Sequence, residues 1–485
     1  MYLFKVYLKS LLLFLVCLFF SCAGKHNVQI ENLEIPIPHS WTTPFSDNQG
    51  ITGEWWLAFQ DTGLVSFLED FKKNNSDIKT IYENKKLAKY SAKINSSSIF
   101  PIINMNARID TNIQNLSGFG FASSFTSEDE DNENNKDEIL SFGNTNTGIN
   151  LTLQWEIDIW GRLINARKAA YKDYDAMVYD LSYLQFSTTV RSAQLYFLGK
   201  ELAAQLKLAE DSYNSFVEIR DLVKDRYQKG LRSSLDYRLA ETSVATSVVT
   251  IEKRKNLLKS TNRQLEVLIG QYPKGELIKD SELPEKMPEI AMGIPINLLE
   301  RRPDIQSLLF KMESNNYQIA EAKRNLLPGV FLNGSAGTSA QNIKDAINKD
   351  FGVWNLGLNV AAPLFNGNVL KSAVKVQEAS YEKSKQAFLK GVLTAFSEVE
   401  QELESSQSLK IQLNALQSAL TQSEDAYNLS KERYDSGVTS LESVLNSQRQ
   451  FNNIKSQFIT IQRLVLDNRL SLILAIGGDT SMNNK

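Results

Sequence analysis

Polar and apolar positions alternate with a period of two in four short stretches of this 485-residue chain. In the first, Ile103, Met105, Ala107, Ile109, Thr111 and Ile113 alternate with Asn104, Asn106, Arg108, Asp110 and Asn112. In the second, Thr147, Ile149, Leu151, Leu153, Trp155, Ile157 and Ile159 alternate with Gly148, Asn150, Thr152, Gln154, Glu156 and Asp158. The third runs from Val330 to Thr338 and is rich in Gly and Ser. The fourth sets Trp354, Leu356, Leu358 and Val360 against Asn355, Gly357 and Asn359. This alternation predicts strands with one apolar and one polar face. A soluble sandwich shows the same pattern. Two features favour a membrane barrel: the polar faces carry Asn, Gln, Glu, Asp and Arg in series, as a wet lumen does, and each strand pair stands alone between long helical stretches. Four strands do not close a barrel, for which about eight is the smallest bacterial number. Open edges in lipid would leave backbone groups unpaired. The pattern therefore requires several chains to pool their strands, and three chains supply twelve.

The remaining periodicity is helical. No proline interrupts Gly161 to Tyr272 or Leu364 to the C-terminus. Leu202, Leu206, Ala209, Tyr213, Phe216 and Val223 follow three-four spacing, a coiled-coil-like stripe. The stretch from Gly161 to Arg226 is long enough for a helix of roughly 98 Å at ~1.5 Å per residue. The helical pattern is also duplicated. Arg226-Tyr227-Gln228-Lys229-Gly230-Leu231-Arg232-Ser233 reappears 207 residues later as Arg433-Tyr434-Asp435-Ser436-Gly437-Val438-Thr439-Ser440. Such a repeat fixes the architecture: a long helix, a glycine turn and a long returning helix, twice. Gly230 and Gly437 are placed to end their helices in the left-handed conformation, and Ser233 or Ser234 and Ser440 to cap the next ones. Asp77-Ile78 to Pro101 matches Asp304-Ile305 to Pro328 at an offset of 227. The first half therefore holds about 20 extra residues, and the acidic run 127–138, with seven carboxylates in twelve residues, is the natural place for them. Such a run cannot enter a core and reads as a solvated loop.

The N-terminus suggests a location. Lys5 and Lys9 precede the apolar run Leu11–Phe20, which is too short for a spanning helix and fits a signal peptide. Phe19-Phe20-Ser21-Cys22-Ala23 has the form of a bacterial lipobox with cleavage before Cys22. Cleavage removes Cys17, the only other cysteine, and leaves Cys22 to carry N-acyl and S-diacylglycerol chains. More than one chain gives stable anchoring. Composition then excludes several classes. A net charge of −3 offers no basic footprint for nucleic acid. The two histidines, His26 and His39, lie near the start, so a histidine-based catalytic or metal site is not expected. No second apolar run of ~18 residues is present, so any lipid-spanning part must be built of strands.

Several motifs stand in a telling order: Leu153-Gln154-Trp155-Glu156-Ile157-Asp158-Ile159-Trp160-Gly161-Arg162, Leu299-Glu300-Arg301-Arg302-Pro303-Asp304-Ile305, Pro363-Leu364-Phe365-Asn366-Gly367 and Ala475-Ile476-Gly477-Gly478. With them the chain resembles the outer-membrane efflux lipoproteins of the TolC family, in the OprM/NodT branch, from Trp55 to Gly478. The resemblance implies an α+β, mostly α, internally duplicated fold: a homotrimer with a twelve-stranded outer-membrane β-barrel over a periplasmic tunnel of helical hairpins, with a small mixed equatorial domain. It implies a passive gated duct of a tripartite system. Its partners would be a periplasmic adaptor, an inner-membrane pump of the RND type and outer-membrane lipid. No enzyme activity, cofactor or metal is expected. The implied boundaries are a signal peptide at 1–21, an N-terminal lipid-anchored and equatorial segment at 22–76, a first repeat at 77–270, a linker at 271–297, a second repeat at 298–478 and a tail at 479–485. The hairpins fall at about 102–159 and 329–362, and the tips near 226–234 and 433–441.

The resemblance also carries site roles. Gly230, Leu231, Gly437 and Val438 would form the turns that meet the adaptor. Asp236 and Tyr434 occupy the positions of a gate latch, with Arg232 as a further charge. The acidic constriction of the best-known pattern is replaced by Ser443 and Asn446, and its arginine by Thr439. Glu156 and Asp158 invite a two-carboxylate hydrolase reading, but an Arg162–carboxylate pair anchoring strand to helix is the simpler account. An outlet for a type I protein-secretion system and a lipid-anchored scaffold outside the membrane are the alternatives. Cargo is not legible in these residues.

Overall fold

The structure, a computed structural model, describes residues 38–42, 54–115, 141–279, 282–284 and 295–478. The lipobox cysteine Cys22, the acidic run 127–138 and the tail 479–485 lie outside the described residues. The chain divides into two compact units. One holds Tyr90–Asp173 and Glu313–Lys383; the other holds Gln29–Lys89, Tyr174–Met312 and Ser384–Lys485.

The first unit is built on an antiparallel sheet in the order β1 (Ile102–Asn115), β2 (Ser141–Ile157), β3 (Gly329–Thr338), β4 (Gly352–Ala361). Its register sets apolar against apolar: Met105 faces Leu151, Trp155 faces Leu332, and Leu332 faces Leu358. The polar set is aligned just as well, with Asn106 opposite Asn150 and Thr152 opposite Ser335. The result is one apolar face and one polar face across all four strands. The apolar face is uncovered: Met105 is 71% exposed and Trp354 80%. β1 and β4, at the ends of the order, each have one neighbour.

The duplication is visible in the elements themselves. Helix α3 (Arg162–Gln228) and α6 (Val369–Asp435) each span 67 residues; α4 (Ser234–Leu268) and α7 (Leu441–Ala475) each span 35. These partners are offset by 207 residues, whereas β1 and β3 begin 227 apart. The acidic run accounts for only part of that difference. The strands of the first hairpin have 14 and 17 residues against 10 and 10 in the second. Much of the extra chain thus extends the ladder, because Ser141–Asn146 finds partners in β1.

The second unit has its core where a short helix, α1 (Thr62–Asn74), lies against α3. The segment 22–76 was expected only as an N-terminal segment; its later part is this helix. Leu64, Phe67, Leu68 and Phe71 recur at three-four spacing and are all buried. Burial of such side chains stabilises by roughly 1.5–3 kcal/mol each. Phe59 meets Phe197 at 5.6 Å, and Phe67 stacks on Tyr196 at 5.5 Å. Asp61 joins helix start to core. It accepts from the Leu64 amide at 3.0 Å, from the Tyr196 hydroxyl at 3.2 Å and from Lys200 Nζ at 2.8 Å. Helices α2 (Ser76–Asn95) and α5 (Pro303–Arg324) are the second repeated pair and run into the strands.

Along α3 and α7 runs a ladder of buried or half-buried polar residues. Asn452 Nδ2 donates to Ser212 Oγ at 2.6 Å, and Ser456 Oγ to Gln205 Oε1 at 2.7 Å. Thr460 Oγ1 donates to Glu201 Oε1 at 2.7 Å, and Gln194 Nε2 to Ser471 Oγ at 3.1 Å. Numbers fall on α3 as they rise on α7, so the helices are antiparallel in one fixed register. Arg463 bridges Glu201 and Asp467. Burial pushes the Asp467 carboxyl up to about 6; Arg463 pulls it down and Glu201 adds to the rise. A carboxyl raised on folding contributes stability that is fully present below its unfolded value of ~4 and is lost as the pH climbs through about 6. Asp467→Asn is therefore expected to raise the unfolding temperature in detergent at pH 8. The gain should be about half as large at pH 5 and vanish below pH 4. A gain of equal size at both pH values would remove the titration as its cause.

Candidate functional site: strand–helix junction and helical turns

In the first unit, β2 gives way to α3 through Asp158–Gly161. Arg162 forks onto Glu156, with Nε to Oε1 at 2.9 Å and Nη2 to Oε2 at 2.5 Å. Asp158 accepts from the Ile164 amide at 2.8 Å, and so satisfies one of the amides that every helix start leaves open. Trp160 Nε1 donates to the Pro328 carbonyl at 2.7 Å, and Arg324 Nε donates to the Trp160 carbonyl at 2.7 Å. Glu156, Asp158 and Arg162 are thus together, each carboxylate occupied by a donor. Half-buried charged hydrogen bonds of this kind contribute about 1.5–3 kcal/mol.

In the second unit the two turns are built alike. Gly230 has φ +74° and Gly437 φ +75°, a backbone conformation that side chains resist and glycine adopts freely. The Leu231 amide reaches back to the Arg226 carbonyl at 2.8 Å, and the Val438 amide to the Arg433 carbonyl at 2.8 Å. With the Gly230-to-Tyr227 and Gly437-to-Tyr434 bonds, which close smaller rings, these are Schellman endings. Ser233 accepts from the Asp236 amide at 3.2 Å and Ser440 from the Ser443 amide at 3.3 Å, so each serine opens the returning helix. Leu231 is 69% and Val438 75% exposed, a matched apolar pair at the tips.

The environments of the repeated tyrosines differ. Tyr227 is 42% exposed and stacks on Tyr237 at 5.7 Å. Tyr434 is buried at 2% in a cluster with Val223, Ala240, Val244, Leu441 and Val444. Arg232 lies over its ring at 4.7 Å and Arg226 at 5.4 Å, within cation–π range. Arg226 also reaches Asp435 at 3.4 Å. The Tyr434 hydroxyl is buried with no hydrogen-bond partner among the described residues. Asp236 is therefore brought near Tyr434 but not bonded to it. Burial pushes the Tyr434 phenol above its usual range; Arg232 pulls it back, and Asp236 pushes it further. Ser443 and Asn446 are exposed on α7. Ser443 is tied to Ser440 at 3.1 Å, and Asn446 accepts from Arg449. Arg226 was not among the expected site residues, although its place in the repeated Arg-Tyr-x-x-Gly is the signal that marks it.

A third cluster lies within two of the quoted motifs but was not among the expected site residues. Arg302 is 2% exposed. Its guanidinium holds Asp304 at 3.0 and 2.7 Å, Glu398 at 2.5 Å and the Ala475 carbonyl at 3.1 Å. Two of the motifs, Leu299–Ile305 and Ala475–Gly478, meet here. A Cβ on Gly477 would stand 2.9 Å from the Arg301 carbonyl. Among the described residues there is no group of acidic, histidine or cysteine side chains able to hold a metal. No described helix is long and apolar enough to cross a membrane.

Comparison with known proteins agrees with this geometry. The sequence profile of the family described as "Outer membrane efflux protein" matches residues 67–271 and 294–478. The pyoverdine export outer membrane protein OpmQ of Pseudomonas aeruginosa is 25% identical over 475 residues, covering 97% of both chains. The toluene efflux pump outer membrane protein TtgC of Pseudomonas putida is 23% identical, covering 92% of this chain and 90% of its own. Among solved structures, the Campylobacter jejuni CmeC outer membrane channel superposes with a TM-score of 0.83 at 22% identity, over 94% of this chain and 95% of that one.

Proposed function

Because the chain belongs to the outer membrane efflux protein family, we propose that three copies close one barrel of twelve strands and one helical duct, as the outer-membrane channel of a tripartite efflux system. One observation carries the trimer: a sheet whose apolar face is bare and whose two ends, β1 and β4, lack a second neighbour. In lipid such ends must be paired, and strands of further copies pair them. Cys22 anchors each copy through its acyl chains. Leu231 and Val438, on glycine turns of equal shape, are the contacts offered to a periplasmic adaptor, which links the duct to an RND-type inner-membrane pump. The pump supplies energy and choice of cargo. The duct passes small organic molecules, the class to which the toluene named for one relative belongs. Asp236, Tyr434, Arg226 and Arg232 form the latch that keeps the turns together, and Ser443 and Asn446 make an uncharged constriction.

The test is a native mass in detergent. Protein extracted from outer membranes should appear at three times the subunit mass, and should migrate as a trimer on a gel until heated. A stable lone subunit, folded and embedded in lipid, would overturn the reading.

A further inference from the structure

Helices α3, α4 and α7 surround a cavity of about 420 Å³ inside the second unit. Small-molecule sites span roughly 300–1,000 Å³. Along α3 the cavity runs from Gln205 to Phe216, roughly 16 Å at ~1.5 Å per residue. Two rungs of the polar ladder, Ser212–Asn452 and Gln205–Ser456, form one wall. Leu208, Ala209 and Phe216 add apolar surface. On α4 the hydroxyls of Ser243, Ser247 and Thr250 line the cavity, but each donates to a carbonyl of its own helix. Their protons are thus occupied, and the strongest donors left are guanidinium groups. Arg449 is tied to Asn446. Arg254 is half-buried, and among the described residues it has no hydrogen bond, ion pair or ring contact. No carboxylate lines the cavity. The duplication does not account for it: at the 207-residue offset Arg254 corresponds to Ile461 and Phe216 to Ser423, so the second hairpin carries neither the cation nor the ring.

We propose that this cavity is a binding site, one per subunit, for an organic anion with an apolar body. A carboxylate or sulfonate would sit on Arg254, and a ring system would lie against Leu208, Ala209 and Phe216. The guanidinium offers a planar fork that matches such an oxyanion. Asn453 of α7 also lines the cavity, and its amide has no hydrogen bond among the described residues, so it meets the same molecule from the other side. Among the described residues no hydrogen bond or ion pair joins α4 to α7 directly. An occupant held by Arg254 and Asn453 therefore connects two helices that the chain itself leaves unbonded. The site lies within one chain and does not depend on the trimer reading.

Equilibrium dialysis of 2-naphthoate against the full-length protein in lipid nanodiscs tests this, with empty discs as the blank. Wild type should take up one molecule per subunit above the blank, and bind it more weakly as salt rises. Arg254→Gln should weaken binding about tenfold or more, the contribution of a charged hydrogen bond, with Arg254→Lys in between. The uncharged 2-naphthamide should bind wild type weaker by a similar factor of about ten. Thr250→Trp fills the cavity from an exposed position, and should abolish binding while the helical circular dichroism stays that of wild type. This variant decides the matter if Arg254→Gln does not fold. No uptake by wild type above the blank at millimolar 2-naphthoate would overturn the site. Equal uptake by wild type, Arg254→Gln and Thr250→Trp would place the ligand elsewhere, and equal uptake of acid and amide would reduce it to apolar partition; either result overturns the proposal. Binding with these dependences by a protein that forms no trimer would overturn the assembly and leave the site standing.

Discussion

Arg302→Met is expected to cost about 3 kcal/mol, the usual penalty for removing one partner from a buried ion cluster. The loss would be read as a fall of the heat-dissociation temperature and a drop in protein recovered from outer membranes. Methionine matches much of the side chain's length and volume, so the effect isolates the guanidinium. What remains is an Ala475 carbonyl without its donor and two carboxylates, Asp304 and Glu398, held on different helices with nothing between them. Burial works against the charged guanidinium, but Asp304 first and then Glu398 outweigh it and hold it well above the ordinary arginine value. Arg302 is therefore charged at every accessible pH. Arg302→Lys keeps the charge but cannot fork onto Asp304 while reaching Ala475, and should fall between wild type and methionine. Wild-type behaviour of the methionine variant in both assays would show that the cluster contributes nothing.

Asp236→Ala combined with Tyr434→Ala is expected to raise the closed-state conductance of the channel in planar bilayers. Loss of a contact of about 1–3 kcal/mol shifts a two-state balance roughly 5- to 150-fold. The geometry makes a sharper prediction than the double variant alone. The Tyr434 hydroxyl has no partner, whereas its ring carries two arginines. Tyr434→Phe should then stay close to wild type, and the conductance should rise only when the ring is removed. Equal closed-state currents in wild type and double variant would defeat the latch. A full effect from phenylalanine would move it from the ring to the hydroxyl.

The parts legible in the sequence are those governed by local rules. Period-two alternation marks all four strands, because a sheet with two different faces writes itself into neighbouring residues. The glycine turns and their serine caps are legible for the same reason. The role of Arg302 is not, since only Asp304 is near it in the chain while its other partners, Glu398 and Ala475, lie 96 and 173 residues away. Glu201 and Arg463 are 262 residues apart and sit on helices that read as ordinary amphipathic stretches. The tyrosines are the instructive failure. Tyr227 and Tyr434 hold the same place in the repeat, yet one is exposed and the other enclosed. The difference comes from what packs on them: Arg232 has no counterpart, since position 439 is a threonine.

The bare face and unpaired ends of the sheet also constrain how the protein is made. A newly exported subunit carries two sticky borders and a greasy flank through an aqueous compartment, where any stray chain in extended form is a rival partner. On the proposed assembly, productive closure needs three subunits to meet, so its yield falls steeply when they arrive slowly or sparsely. Cells that make this protein must therefore shelter it in transit, and overproduction beyond that shelter should yield precipitate rather than more channels.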